Sequence, residues 1–488
     1  MSNSSQLSDW KSATVQLLSD KGWARWTALI LVALMMFFAY MFVDVMSPLQ
    51  SLIEEQRDWS PKAFGYYAGA EYILNVFGFL ILAGIILDKM GIRFTGVLSA
   101  SVMVVGATIK LYAISDLFQG SGLEVWLNSW WTAMPGSAKL AALGFMIFGC
   151  GCEMAGITVS KTLAKWFEGK EMALAMGLEM ALARVGVFAI FSISPALADW
   201  MGKDHPTVVI PVAFCTALLL IGLICFIVFT FMDSKLDKQI AAKRGTISDD
   251  ETAEEEFKFS DVGRILSSRL FWIIALLCVL YYSAIFPFQR YGANMLQCNL
   301  DGISPSDASN IFRWFPIGAA VITPFLGSFL DHKGKGATML IWGAILLIAC
   351  HLVFAFILPA THSYLIAYST IVLLGVSFAL VPAALWPSVP KIIDEKVLGS
   401  AYCLIFWVQN FGLCFVPMLI GSVLASSNAD NPAVIAAKES GAEFIPYNYT
   451  VPLVIFACFG VAALLLAGYL KLIDKKHNYG LELPNIKK

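Results

Sequence analysis

Apolar blocks of roughly 20 residues recur along this chain from Trp26 to Leu472. A bilayer core about 30 Å thick is crossed by roughly 20 helical residues, so each block is long enough to span one. Hydrocarbon offers no partner for a backbone N–H or C=O. A segment in it must therefore satisfy its own amides, which a helix does alone and a strand does only in a closed barrel. The period-2 alternation of such a barrel is absent here. Composition agrees, with 58% of residues apolar and 14% charged, against about 25% charged in a soluble chain. The expected fold class is an all-α membrane protein of twelve transmembrane helices. The expected spans are 26–47, 65–88, 93–115, 138–163, 172–198, 206–233, 269–295, 307–330, 338–358, 362–390, 398–425 and 447–472.

The net charge of −2 says little, but its distribution orients the chain. Lys and Arg gather before residue 26, in 89–93, 161–170, 235–269, 333–335 and 391–396, and after residue 472. The positive-inside rule then places both termini in the cytoplasm, which requires an even number of spans. The first 25 residues lack an apolar h-region and cleavage site, so no removable signal peptide is expected. Cys150 and Cys152 form a C-x-C inside a helix, which is not a zinc-ligand pattern. No cofactor, metal, nucleophile–base or nucleic-acid motif is evident, so an enzyme is not expected.

The longest polar stretch, 234–268, divides the chain into six spans and six. It carries the acidic run Asp249, Asp250, Glu251 and Glu254 to Glu256, read as a solvated linker. The expected domains are a 1–25 tail, a 26–233 bundle, the 234–268 linker, a 269–472 bundle and a 473–488 tail. Each half repeats one short signal after its second span. The first copy is Gly84-Ile-Ile-Leu-Asp88-Lys89-Met-Gly91-Ile-Arg93, the second Gly327-Ser-Phe-Leu-Asp331-His-Lys333-Gly334-Lys335. Asp88 and Asp331 lie 243 positions apart, almost half the chain. The glycines permit a tight turn and close helix approach. The aspartate can cap a neighbouring helix and pair with a nearby base, in one conformation and not in another. This repeated loop resembles the motif of the major facilitator superfamily. The resemblance implies two six-helix bundles around a central cavity, working by alternating access.

Ionisable residues inside a span are costly and mark function. Asp44, Glu71, Glu153 and Glu179 supply four acids, and Arg184, Arg290 and Arg313 three bases. A cavity with both signs suits a zwitterion. Glu153 and Arg184 fall near the midpoints of consecutive spans, where one could hold a substrate ammonium and the other a carboxylate in its bidentate fork. They could equally neutralise each other as a static pair. On the residues alone both readings stand. Glu179 is five residues from Arg184, about 140° round the helix, and is expected to face elsewhere. Nearer the outer mouth, Asp44 and Glu71 lie in one half and Arg290 and Arg313 in the other. Applying the 243-residue offset sets Arg313 beside Glu71 and Arg290 near Asp44. An outer gate is expected, in which Asp44 or Glu71 pairs with Arg290 or Arg313 when the cavity faces inward. Static pairing or snorkelling is the alternative. Tyr281-Tyr282 through Phe286-Pro287-Phe288, and Ala384-Leu385-Trp386-Pro387, bring aromatic and proline features to the second half. Tyr282, Phe286 and Trp386 are candidates for adaptable side-chain binding, with bundle packing the plainer role.

Five segments carry a closer resemblance. They are Trp166-Phe167-Glu-Gly169-Lys170-Glu171, Gly177-Leu-Glu179-Met with Ala183-Arg184-Val-Gly186, Tyr281 to Phe288, Ala384 to Pro387, and Leu398-Gly399-Ser-Ala401-Tyr402 with Gln409-Asn410-Phe-Gly412. Together they resemble the branch of animal lysosomal dipeptide uniporters, over roughly residues 34–425. That resemblance implies that Glu153 engages a peptide amino terminus and Arg184 its carboxylate, while Asp44 matches an acidic position of the first span. Glu179 stands where the family has glutamine, and Glu71, Arg290 and Arg313 have no counterpart. Extra membrane carboxylates are the groups proton coupling needs, so uniport and proton coupling both stay open. The N-terminal tail lacks an acidic dileucine sorting signal, and a bacterial plasma membrane is expected. The segment 117–137, with Trp126, Trp130 and Trp131, reads as an interfacial loop, and no accessory subunit is expected. Asn448-Tyr-Thr450 matches a glycosylation sequon. The expected substrate is a dipeptide or small zwitterion moved by a monomer. A carrier of amino acids or organic anions, or a non-transporting receptor, is the alternative.

Overall fold

The computed structural model describes residues 17–244, 259–393 and 397–484, so the acidic run at 249–256 lies outside the described residues. Among the described residues the chain is helical, without a strand. Eleven helices among the described residues are long and apolar enough to cross a membrane. The first span is Gly22–Asp44, the fourth Gly136–Phe167, the fifth Met172–Ala198 and the sixth Val209–Arg244. The seventh is Arg269–Asn299, the tenth Tyr364–Ile392, the eleventh Leu398–Ser427 and the twelfth Thr450–His477. The ninth runs from Gly336 through a π-helical turn at Val353–Ile357 to Thr361. The sixth helix passes its expected end by a further stretch to Arg244, and a helix at Phe259–Leu266 precedes the seventh, so both ends of the 234–268 segment are helical.

The second span escapes a simple length count because it is broken. It starts at Pro61, where a missing N–H costs nothing, with the Ser60 hydroxyl accepting from the Ala63 amide. It runs as Pro61–Ala70, breaks at Glu71 and Tyr72, resumes as Ile73–Val76 and breaks again at Gly78. From Phe79 it continues to Gly91, whose φ of 76° and ψ of 170° reverse the chain into the third span. Only glycine occupies that region without strain. The eighth span repeats the design. Ser304 caps Pro305–Phe312, the helix breaks at Arg313, and Trp314–Lys333 follows. A Ser-Pro start followed by a break at an ionisable residue is thus common to both halves, and was not read from the sequence.

Glycines decide where helices meet. A Cβ on Gly106 would stand 2.4 Å from Gly144 O, and one on Gly144 2.6 Å from Gly106 O, so the third and fourth spans touch backbone to backbone. Between the halves, a Cβ on Gly69 would lie 2.2 Å from Cys414 O, and one on Gly421 2.3 Å from Pro61 O. The second and eleventh spans therefore close on each other at the ends remote from Leu17 and Pro484, called the outer ends. A Cβ added to Gly84 or Gly327 would meet nothing within 4 Å, so the close approach expected of them is not made in this conformation. The turns belong to Gly91 and Gly334, both at positive φ.

At the opposite, inner end of the bundle Asp88 pairs with Lys161 at 3.0 Å. Arg93 reaches Asp237 at 3.1 Å, and Lys165 bridges Asp233 at 2.8 Å and Asp237 at 2.6 Å. Lys89 is exposed. In the second hairpin, the Lys335 and Gly336 amides donate to Glu482 O and Leu481 O, each at 3.0 Å, so the chain after the twelfth span covers that turn. On the outer side the helix Gly122–Asn128 leaves Trp126 exposed, with Trp130 and Trp131 exposed just beyond it.

Candidate functional site

Two charged layers form the candidate site, both built largely on the N-terminal half. In the outer layer, Arg290 of the seventh span lies between two carboxylates of the opposite half. Its Nη1 is 3.0 Å from Asp44 Oδ1, and its Nη2 is 2.5 Å from Glu71 Oε2. Nη1 also donates to the Val43 carbonyl, freed where the first helix ends at Asp44. Gln289 Nε2 donates to the second Asp44 oxygen at 2.5 Å, and the Ser47 hydroxyl to the first at 3.1 Å. Asp44, Glu71 and Arg290 are 1%, 4% and 7% exposed, so little solvent screens them. Glu71 is held by its backbone as well. Gly149 of the fourth span packs so closely at the break that a Cβ there would fall 2.0 Å from Glu71 O.

Arg313 is not in this cluster. Its Nη1 donates to Ser192 Oγ at 3.2 Å and Asn310 Oδ1 at 3.0 Å, and its guanidinium packs against Phe188 and Trp314. The expected pairing with Glu71 is corrected. The offset gives the right level in the fold, but Arg313 sits at the helix break and turns toward the fifth span. Further contacts tie the halves together at the outer mouth. Asn294 Nδ2 donates to Ser51 at 2.8 Å and Ser51 to Gln297 at 2.9 Å. Tyr447 donates to Glu54, and Ser309 to the Phe191 carbonyl.

In the inner layer Glu153, Glu179 and Arg184 are half-buried. Among the described residues no ion pair joins Glu153 to Arg184, so the static pair is not formed here. Arg184 instead reaches across to the C-terminal half, its guanidinium carbon 4.8 Å from the Phe378 ring centre and 5.6 Å from that of Phe286. Tyr40 of the first span lies within electrostatic range of Arg184, Glu179 and Glu153. Glu179, five residues from Arg184, lies within electrostatic range of it, but no hydrogen bond or ion pair joins the two among the described residues. Tyr282 stacks on Phe286 at 5.3 Å and accepts from the Trp386 indole at 3.2 Å, and Trp386 stacks on Phe406 at 4.8 Å. The N-terminal half supplies the charges and the C-terminal half the rings. Fixed charges opposite an aromatic wall can orient a small zwitterion and accommodate varied side chains.

Three participants were missed in the sequence. Tyr40 and Phe378 carry no signal apart from ordinary span composition. Lys110 does, because a lysine inside the third span belongs with the ionisable residues and brings that set to four acids and four bases. Among the described residues no group of three or more His, Cys, Asp or Glu could hold a metal.

Residues 32–417 match the family model of the Major Facilitator Superfamily. The chain is 27% identical over 414 residues to the lysosomal dipeptide transporter MFSD1 of Danio rerio, covering 82% of this chain and 80% of that protein. It is 24% identical over 416 residues to MFSD1 of Homo sapiens, with the same coverage. Among solved structures it resembles a mutant of the nucleoside transporter NupG, with a TM-score of 0.67 at 12% identity over 91% of this chain and 99% of that one. It also resembles a bacterial homolog of the human lysosomal transporter Spinster in an inward-facing, occupied conformation. There the TM-score is 0.67 at 14% identity, over 92% and 97% of the two chains.

Proposed function

The chain belongs to the Major Facilitator Superfamily and is a multi-pass membrane transporter, and we propose that it carries dipeptides by alternating access. The observation that carries this reading is the state of Arg184. It is a half-buried guanidinium, not paired with Glu153 among the described residues, set over Phe286 and Phe378 of the opposite half. A dipeptide carboxylate takes its fork bidentately, as a planar cation over rings leaves its edge free. The ammonium end goes to Glu153, with Glu179 and Tyr40 beside it. Side chains lie along Tyr282, Phe286, Phe378 and Trp386. The names of the curated relatives that the chain matches support the substrate class.

Asp44 and Glu71 docked on Arg290 form the outer gate, closed here. Opening it withdraws Arg290 with the C-terminal half and exposes the inner layer to the outside. Both termini face the cytoplasm of a cell membrane, as the Lys and Arg distribution indicates.

The test is a thermal-shift and binding screen of purified protein against dipeptides, free amino acids and carboxylates, with Glu153→Gln and Arg184→Ala alongside. Stabilisation by dipeptides that both variants lose is expected. Stabilisation by free amino acids alone would overturn the substrate class. Proteoliposome uptake with and without a pH gradient decides between uniport and proton coupling, and binding without uptake would mark a receptor.

A further inference from the structure

Lys110 is fully buried, at 0% exposure, and its Nζ has no hydrogen-bond partner among the described residues. Close contact between the third and fourth spans at Gly106 and Gly144 seals it in. The ammonium instead lies among three rings. Its nitrogen is 4.2 Å from the ring centre of Phe42 on the first span, 4.8 Å from Phe145 on the fourth and 5.2 Å from Tyr67 on the second. Each is within cation–π range, and a desolvated site strengthens that attraction. The cage adjoins the outer gate, since the Phe145 ring that holds Lys110 also lies 5.7 Å from the Arg290 guanidinium. The charged and titratable groups around Lys110 are Asp44, Glu71 and Arg290, with Cys215 from the sixth span. Tyr67 stacks on Phe145 at 4.8 Å, and its hydroxyl has no partner among the described residues.

The charge count gives Lys110 a purpose. Asp44 and Glu71 are two buried acids, and Arg290 is one buried base. Without another cation the closed gate would bury a net negative charge, which a low dielectric punishes. We infer that Lys110 is the resident counter-cation of the outer gate, a positioning residue that makes the closed Asp44–Glu71–Arg290 cluster neutral. It needs no contact with the acids to do so, because charge interactions in a desolvated site act over several ångströms. The rings hold it at that distance, so of the two cations only Arg290 donates hydrogen bonds to the acids, and it stays free to leave with its own half. The inference rests on the gate reading above but not on the identity of the substrate.

The experiment reads gate opening without substrate. Ser309 is buried on the outer contact, where it donates across the halves to the Phe191 carbonyl. In a Ser309→Cys chain reconstituted in liposomes, an impermeant maleimide labels that thiol from outside when the gate opens; the chain with Ser309 intact gives the background. Lys110→Met keeps the length and fills the cage, but leaves the net negative charge. Labelling should rise by about a hundredfold or more, the shift that corresponds to removing one member of a buried charge cluster. Glu71→Gln alone should also raise it, by leaving net positive charge. The Lys110→Met, Glu71→Gln double variant is neutral again and should return toward the wild-type rate. Unchanged labelling in Lys110→Met overturns the inference, and so does a double variant no better than its parents. If Glu71→Gln still opens the gate in that case, the gate reading survives alone. Unchanged labelling in both single variants overturns both. Should Lys110→Met not assemble, a folded and closed double variant supports the inference, and a double variant that also fails overturns it.

Discussion

Arg290 on the seventh span meets Glu71 on the second at 2.5 Å, while the same guanidinium meets Asp44 on the first at 3.0 Å. One residue of the C-terminal half is therefore clamped between two helices of the other. The pairing also lies at the break of the second span, where the regular helix is interrupted. A break at the point of contact lets the outer piece, Pro61–Ala70, move with less resistance from the rest of the span.

Arg290→Gln should be the most damaging single change in the outer layer, because it leaves two buried acids without their bridging cation. Removing one partner of a buried pair costs about 3–5 kcal/mol. The expected result is a lowered melting temperature and lost transport. Adding Glu71→Gln should recover part of both, since one stranded charge is then gone. Equal damage in the single and double variants would show that the cluster does not act as a charge unit.

Arg184→Ala should weaken dipeptide binding by about 10- to 100-fold, the loss of charge-assisted hydrogen bonds worth roughly 1.5–3 kcal/mol. Arg184→Lys should not restore it, because an ammonium lacks the planar fork and the flat face set over Phe378. Titration calorimetry in detergent reads this directly. Full rescue by lysine would mean that only the charge matters.

Gly69→Leu should hold the outer mouth open. A Cβ there would already fall 2.2 Å from the Cys414 carbonyl, so the larger side chain must part the second and eleventh spans. Overpacking of this kind costs about 1–3 kcal/mol, comparable to the free energy that separates conformers. Labelling of Ser309→Cys from outside should rise, and uptake should fall while the protein stays folded. A labelling rate equal to that of the parent would place the moving contact elsewhere.

Glu171, in the loop before the fifth span, gives a pH signature independent of the gate. Its own backbone N–H and the Arg25 side chain, at 2.9 Å, hold its carboxyl below the ordinary range. A depressed carboxylate stabilises the folded state fully above its unfolded pKa and loses that contribution as pH falls through the folded value. The melting-temperature gap between wild type and Glu171→Gln should thus be constant from pH 7 to about 5 and narrow below about 4. A gap that widens toward low pH would reverse the sign of this contact.

Much of the architecture was legible before any contact was known. The apolar blocks and the 243-residue repeat at Asp88 and Asp331 are local or periodic signals, and both survive without knowledge of neighbours. The inner layer was partly legible, since a charge within a span stands out by its cost, as with Glu153 and Arg184. Its geometry was not. Phe378 resembles any other core ring in sequence and becomes part of the site only because Arg184 lies over it.

The sequence by itself settled that this chain crosses a membrane repeatedly, in two related halves, with charges of both signs inside. Bilayer thickness and the need of each backbone amide for a partner act on one segment at a time, so a linear reading suffices. Tertiary structure alone decided which charges meet. Arg290 takes Asp44 and Glu71, Arg313 turns to Ser192, and Lys110 is enclosed by rings from three other spans. Those outcomes depend on how far each helix is rotated and where it breaks. Packing among segments far apart in the chain sets both, through contacts such as Gly149 against Glu71.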